Sequence, residues 1–259
     1  MSHTERTTGC RCSDYKTQQP NAILFNILSQ SQCHSLSCSP APPRGCHCER
    51  SVSLATPSET AHLATGVLLK TLRFMRSLPS FQNLPLGDQL SLLRLGWGPA
   101  FILGLAQEGV DFQVTDRPAG RMLKQILLEG QGGRGLGDGR DTPTLAAVHK
   151  LKACLHRLWG LDLTPKEYAY LKGAVLFNPD VPQLESGQFV AGLQQEAQLA
   201  LREVVTPLHP HDTGRFARIL LATSALRSIN QNFLIELFFR PLIGPADLFE
   251  LLVEMLFSP

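Results

Sequence analysis

No stretch of this 259-residue chain matches a membrane span: the strongest apolar run, near residues 97–106, is about half the ~20 residues a spanning helix needs. Residues 1–20 are polar and contain no apolar run of signal-peptide length. The thiols are therefore expected to be reduced and the protein intracellular. An excess of charge of one sign is also lacking. Lys+Arg 24 against Asp+Glu 22 leaves a net charge of +2, which argues against a protein that coats polyanions, since phosphate binding draws on clustered cationic excess. Action on transcription through other proteins stays open. Charged residues are only 18% and hydrophobic ones 43%, a balance that excludes wholesale disorder.

The seven cysteines include no C-x2-C pair. Six crowd the first fifty residues (Cys10, Cys12, Cys33, Cys38, Cys46 and Cys48), and Cys154 stands alone. Structural zinc sites favour pairs with two to four residues between them, so that one turn presents two thiolates to a tetrahedral ion. The one-residue gaps of Cys10-x-Cys12 and Cys46-His47-Cys48 fit this poorly, and no metal is expected; zinc content would test an adaptor built on that segment. Gly130, Gly132 and Gly135 match a dinucleotide-binding spacing, but a helical pattern precedes them and a Gly-rich loop follows, where strand and helix are required. His209 and His211 flank Pro210 in a surface loop. Cys154 follows Val148 and Leu151 on an apolar helix face and reads as a buried structural thiol. No Gly-x-Ser-x-Gly elbow occurs. The expectation is a protein that is not an enzyme and carries no cofactor.

Helical periodicity dominates from about residue 59. Leu63, Val67, Phe74 and Leu78 form one stripe and Leu68, Leu72 and Met75 an adjacent one, so this helix is apolar over a wide arc; Pro79 ends it. A second long helix covers 86–107. VDFQV at 110–114 alternates as the one convincing strand. Helices follow at 121–130 and 144–160. Thr164, Pro165 and Glu167 form a capping box that opens another helix, running to Pro179. Further helices are expected at 186–206, 212–240 and 246–257. The organisation read from this is a tail at 1–17, then one domain over 18–259. Within it lie a short helix near 21–30, an irregular Cys/Ser/Pro-rich stretch over 31–58, and a folded core over 59–259.

Two segments place apolar residues at i, i+3 and i+4: LFNIL (Leu24, Ile27, Leu28) and LKQIL (Leu123, Ile126, Leu127). This spacing suits a helix that inserts into a groove, and equally a helix packed in its own core.

Residues 74–93, FMRSLPSFQNLPLGDQLSLL, set Phe74, Phe81, Leu84, Asp88, Gln89 and Leu92 in a fixed spacing. It resembles the signature of the nuclear-receptor ligand-binding domain. LRLGWGPAFILGL at 93–105 is similar to that family's central helix and LTPKEYAYLKGAVLFNPD at 163–180 to its eighth. RFARILLATSALRSI at 215–229 and LFFRPLIG at 237–244 resemble its dimerisation region, and LLVEML at 251–256 its terminal activation helix. The resemblance implies an all-α, three-layer helical sandwich with a minor β element. It also implies a coregulator groove with a charge clamp at Arg76 and Glu254, lined by Gln89, Leu93 and Leu252. Taken without the resemblance, the two charges read as a solvated helix surface.

The two C-x2-C zinc clusters of the family's DNA-binding module are missing from this sequence. The resemblance therefore points to receptors that lack that module, and implies a transcriptional corepressor. Such a chain would bind other nuclear receptors as a heterodimer and at their activation groove, through its LxxLL-like helices. It would recruit corepressor and histone-deacetylase complexes, with no direct contact to DNA or membrane, possible homodimers, and residence in the nucleus with a cytoplasmic pool. The alternative is a receptor whose terminal helix switches on a hydrophobic small molecule, in a pocket that Phe101, Phe112 and Met122 would fill.

Overall fold

The computed structural model describes residues 50–116 and 142–257. The LxxLL-like segments at 24–28 and 123–127, the six N-terminal cysteines, the Gly-rich loop, Met122, and the expected tail and helix at 1–17 and 21–30 lie outside the described residues.

The fold starts earlier than residue 59. Strand β1 (Val52–Leu54) pairs antiparallel with β2 (Val114–Asp116), Val52 opposite Asp116 and Leu54 opposite Val114. VDFQV therefore belongs to the ladder only at Val114. The alternation of Val110 and Phe112 is real, since both are buried, but it fixes which side chains enter the core, while the Val110 and Phe112 N–H groups bond the Leu105 carbonyl and the Asp111 side chain instead of a strand. β1 itself lies inside the stretch read as irregular. Three residues are too few to display a period.

Helix α1 (Pro57–Arg76) opens with Pro57 in its first turn. It buries Val67, Leu68, Leu72 and Met75, while Leu63 of the expected stripe is 57% exposed. Pro79 opens a separate one-turn helix, α2 (Pro79–Gln82). Next comes α3 (Leu86–Gln107), in which every residue from Gly96 to Ala106 is buried. A helix apolar on all sides has to be enclosed on all sides. Accordingly α3 runs through the centre, against α1, against α4 (Leu145–Trp159) and α7 (Arg215–Leu226), and beside α5 (Pro165–Leu176), which packs along α6 (Gly187–Leu208). The architecture is a three-layer helical sandwich with a two-stranded sheet. At Gly104 a Cβ would lie 2.6 Å from Val67 Cγ1, so glycine sets the close approach of α1 to α3.

Thr164 Oγ1 accepts from Glu167 N–H at 3.3 Å and Glu167 Oε2 accepts from Thr164 N–H at 2.7 Å, the expected capping box. Glu167 is fully buried and meets Arg215 Nη2 at 3.4 Å, tying α5 to α7. The α5 helix stops at Leu176, three residues before Pro179. Cys154 is buried on α4, and burial pushes its thiol upward, away from a reactive thiolate.

The single helix expected over 212–240 is broken. After α7 the chain turns at Ser228–Asn230. Asn230 Oδ1 then caps α8 (Gln231–Leu234), accepting from Asn232 N–H at 2.8 Å. A π-helical turn, Ile235–Phe239, sends Leu237, Phe238 and Phe239 into the core, followed by α9 (Arg240–Ile243) and α10 (Leu248–Phe257). Phe238 meets the rings of Phe112 and Phe101 edge-on at 5.1 and 5.8 Å.

Candidate functional site

The signature residues build one corner of the molecule. Phe81, Leu84 and Leu92 are buried and Phe74 is packed against the core. The Asp88 carboxylate, itself buried, accepts from the backbone N–H groups of Glu185 at 2.9 Å and Ser186 at 2.8 Å, fastening the start of α3 to the start of α6. A relay of side-chain amides closes the turn between α1 and α3. Gln82 Nε2 donates to the carbonyl of Arg76 at 2.6 Å. Gln89 Nε2 donates to the carbonyls of Gln82 at 3.1 Å and Leu84 at 2.8 Å.

This corner forms one side of an open groove of about 320 Å³, whose other side is the end of α10. Its lining is Arg76, Phe81, Gln82, Leu86, Gln89, Leu256 and Phe257. The floor is apolar and one rim carries a guanidinium, an arrangement able to hold apolar side chains beside an electron-rich group. Arg76 is exposed in the last turn of α1, and Glu254 is exposed on α10. Neither makes an ion pair among the described residues.

Arg76 and Gln89 thus lie at the groove. Glu254 shares a helix with two lining residues without being one of them. Leu93 and Leu252 are both fully buried in the core and do not line this groove. Leu86, 59% exposed, together with Leu256 and Phe257, takes that place. Leu256 stands one turn after Leu252 on the same face, so the i+4 spacing was the available signal. Leu86 likewise stands three residues before Gln89 on the same face of α3.

The chain matches the family model described as the ligand-binding domain of nuclear hormone receptor over residues 49–243. It is 46% identical over 258 residues to human nuclear receptor subfamily 0 group B member 2, covering 98% of each chain. It is 48% identical to the rat protein of the same name over 239 residues, 90% of this chain and 92% of that one. Against human nuclear receptor subfamily 0 group B member 1 the identity is 39% over 225 residues, 80% of this chain and 47% of the relative. With a matched domain, a fold of the same architecture and relatives aligned almost end to end, the chain belongs to the nuclear receptors, in subfamily 0 group B.

Proposed function

We propose that this nuclear receptor represses transcription by binding other nuclear receptors and blocking their coactivator grooves with its own LxxLL-like helices. The observation that carries the reading is that one chain holds both halves of a helix-in-groove interaction. It has two donor segments, with Leu24, Ile27 and Leu28 or Leu123, Ile126 and Leu127 at i, i+3 and i+4, and an open apolar groove with Arg76 on its rim. The donor helices fill apolar pockets of a partner receptor. The chain's own groove receives a helix from a corepressor, through which histone-deacetylase complexes are brought in. There Arg76 faces the free carbonyls at the helix C-terminus and Glu254 the free N–H groups at its N-terminus. Arg76 presents a planar fork of donors, suited to two carbonyls at once. The action needs no contact with DNA, takes place in the nucleus with a cytoplasmic pool, and is compatible with homodimers.

A pull-down against a panel of receptor ligand-binding domains tests it. A leucine acting as a hot spot contributes on the order of 2 kcal/mol, so Leu24→Ala with Leu28→Ala weakens capture by more than about tenfold at unchanged Tm. Leu123→Ala with Leu127→Ala does the same if that segment is also a donor, and lowers Tm instead if it packs in the core. Undiminished capture by a chain carrying all four substitutions defeats the proposal.

A further inference from the structure

The terminal helix α10 follows a short loop, 244–247, in which the Gly244 and Ala246 N–H groups bond the Arg240 and Ile243 carbonyls and one side chain gathers the loop's own carbonyls. Arg240 on α9 donates from Nη1 to the carbonyls of Gly244 at 2.5 Å and Ala246 at 3.1 Å. From Nε it donates to Glu236 Oε1 at 2.8 Å, and its Nη2 is 2.8 Å from the same oxygen. Two carbonyls can converge on one guanidinium nitrogen because Gly244 turns the chain at φ 59° and ψ −132°, a region that side chains disfavour. Glu236 belongs to the π-helical turn, whose Leu237, Phe238 and Phe239 are anchored in the core. Arg240 thus joins a fixed point of the core to the loop that feeds α10. Past the loop, Asp247 Oδ1 accepts from Phe249 N–H at 2.8 Å, and the Arg94 guanidinium lies 3.9 Å from the centroid of the Phe249 ring. Leu248, Leu252 and Leu256 are then buried, and Leu256 and Phe257 reach the groove. This assembly extends past Ile243, where the family match ends.

We propose that Arg240 is the positioning residue of the groove: its fork holds the 244–247 loop so that α10 stays in place as the groove wall, by contacts within the chain alone. A lysine carries one compact ammonium without the planar fork and reaches fewer of these acceptors at once. The binding half of the claim rests on the coregulator reading of the groove; the structural half does not.

The test uses the full chain, with hydrogen exchange by mass spectrometry and anisotropy of a fluorescein-labelled LxxLL peptide. In Arg240→Ala, exchange over 244–257 rises about tenfold, the equivalent of losing one charge-assisted contact, while α5 and α6 exchange as in the parent. Peptide affinity falls by a similar factor, and Arg240→Lys recovers part of both. Gly244→Ala leaves Arg240 intact and meets no atom within 4 Å, yet has to accept the disfavoured φ; it loosens the same segment and decides the matter where Arg240→Ala does not fold. Parental exchange over 244–257 in these variants, or equal loosening of every helix, overturns the proposal. A parent chain that itself binds no peptide defeats the groove reading while the exchange comparison still decides the role of Arg240.

Discussion

Replacing Asp88 with asparagine tests the corner on which the groove is built. The carboxylate sits buried in the first turn of α3 and accepts two backbone N–H donors, from Glu185 at 2.9 Å and Ser186 at 2.8 Å. Hydrogen bonds to a charged group contribute roughly 1.5–3 kcal/mol each. An acid in the first turn of a helix adds about 0.3–1 kcal/mol through the macrodipole. Asparagine is nearly isosteric but has one acceptor oxygen, so its NH2 is turned toward the second N–H and both donors face each other. The expected loss is about 2–4 kcal/mol, a large part of the roughly 5–15 kcal/mol typical of a domain. With a urea m-value of about 2–3 kcal/mol/M, the unfolding midpoint moves down by about 1 M. Amide exchange at Glu185 and Ser186 accelerates locally before global unfolding. A midpoint shift under about 0.2 M, with those two amides still protected, refutes the reasoning, because the carboxylate then carries no more than a surface charge does.

Gly104→Ala sets two effects against each other: alanine gains about 1 kcal/mol of helix propensity, but its Cβ would meet Val67 Cγ1 at 2.6 Å. Val67 is buried and β-branched and cannot swing aside, so a net loss of about 1–3 kcal/mol is expected and a raised Tm contradicts it. Tyr168 gives a pH test. Burial, followed by the charges of Asp162 and Glu167, pushes its hydroxyl from 10.0 up to about 12. Between those values the unfolded chain has lost a proton that the folded chain keeps, so stability falls as pH rises through the window, by up to about 3 kcal/mol. Tyr168→Phe removes that part of the decline in urea midpoints measured at pH 9 and 11.5; an unchanged slope refutes it. Glu254→Lys reverses the charge beside the groove without touching the core and should weaken an LxxLL or corepressor peptide by about tenfold at constant Tm. Equal affinity removes Glu254 from the clamp.

Much of this structure was legible in the sequence where a local rule and the tertiary packing agree. Thr164 and Glu167 cap the helix they were expected to cap, and the unbroken apolar run of α3 announces a helix enclosed on every side. What was not legible is where along one helix face the core ends: Leu86 and Leu93 stand seven residues apart on the same side of α3, and spacing alone could not decide that Leu93 lies in the core while Leu86 reaches the groove. The break at Ser228–Asn230 carries neither Gly nor Pro. The π-helical turn at 235–239 is selected by where Phe238 and Phe239 find rings to pack on, a long-range cause that no local pattern records. β1 depends on distant partners, β2 and the Pro143–Thr144 segment, and is too short to be seen alone.

The position of α10 also bears on whether a hydrophobic small molecule gates this receptor. A ligand moves a two-state helix only by the difference in its affinity for the two states, and turning a 1:99 ratio into 99:1 takes about 5.5 kcal/mol. Two features among the described residues oppose such a switch. Trp97, Phe101, Phe112, Phe238 and Phe239 form a continuous buried cluster with neighbouring centroids between 5.1 and 6.4 Å apart. A molecule entering there has to displace a ring whose burial is itself worth about 1.5–3 kcal/mol, with edge-to-face contacts adding roughly 1 kcal/mol more. Meanwhile α10 buries Leu248, Leu252 and Leu256, each worth about 1.5–3 kcal/mol before the entropy of ordering the helix is counted. The burial of these side chains favours the docked position of α10 with no small molecule bound, against the conformational entropy of ordering the helix. Native mass spectrometry of the purified chain is expected to return the protein mass alone. A co-purified lipid whose removal speeds exchange over 248–257 would reverse the argument.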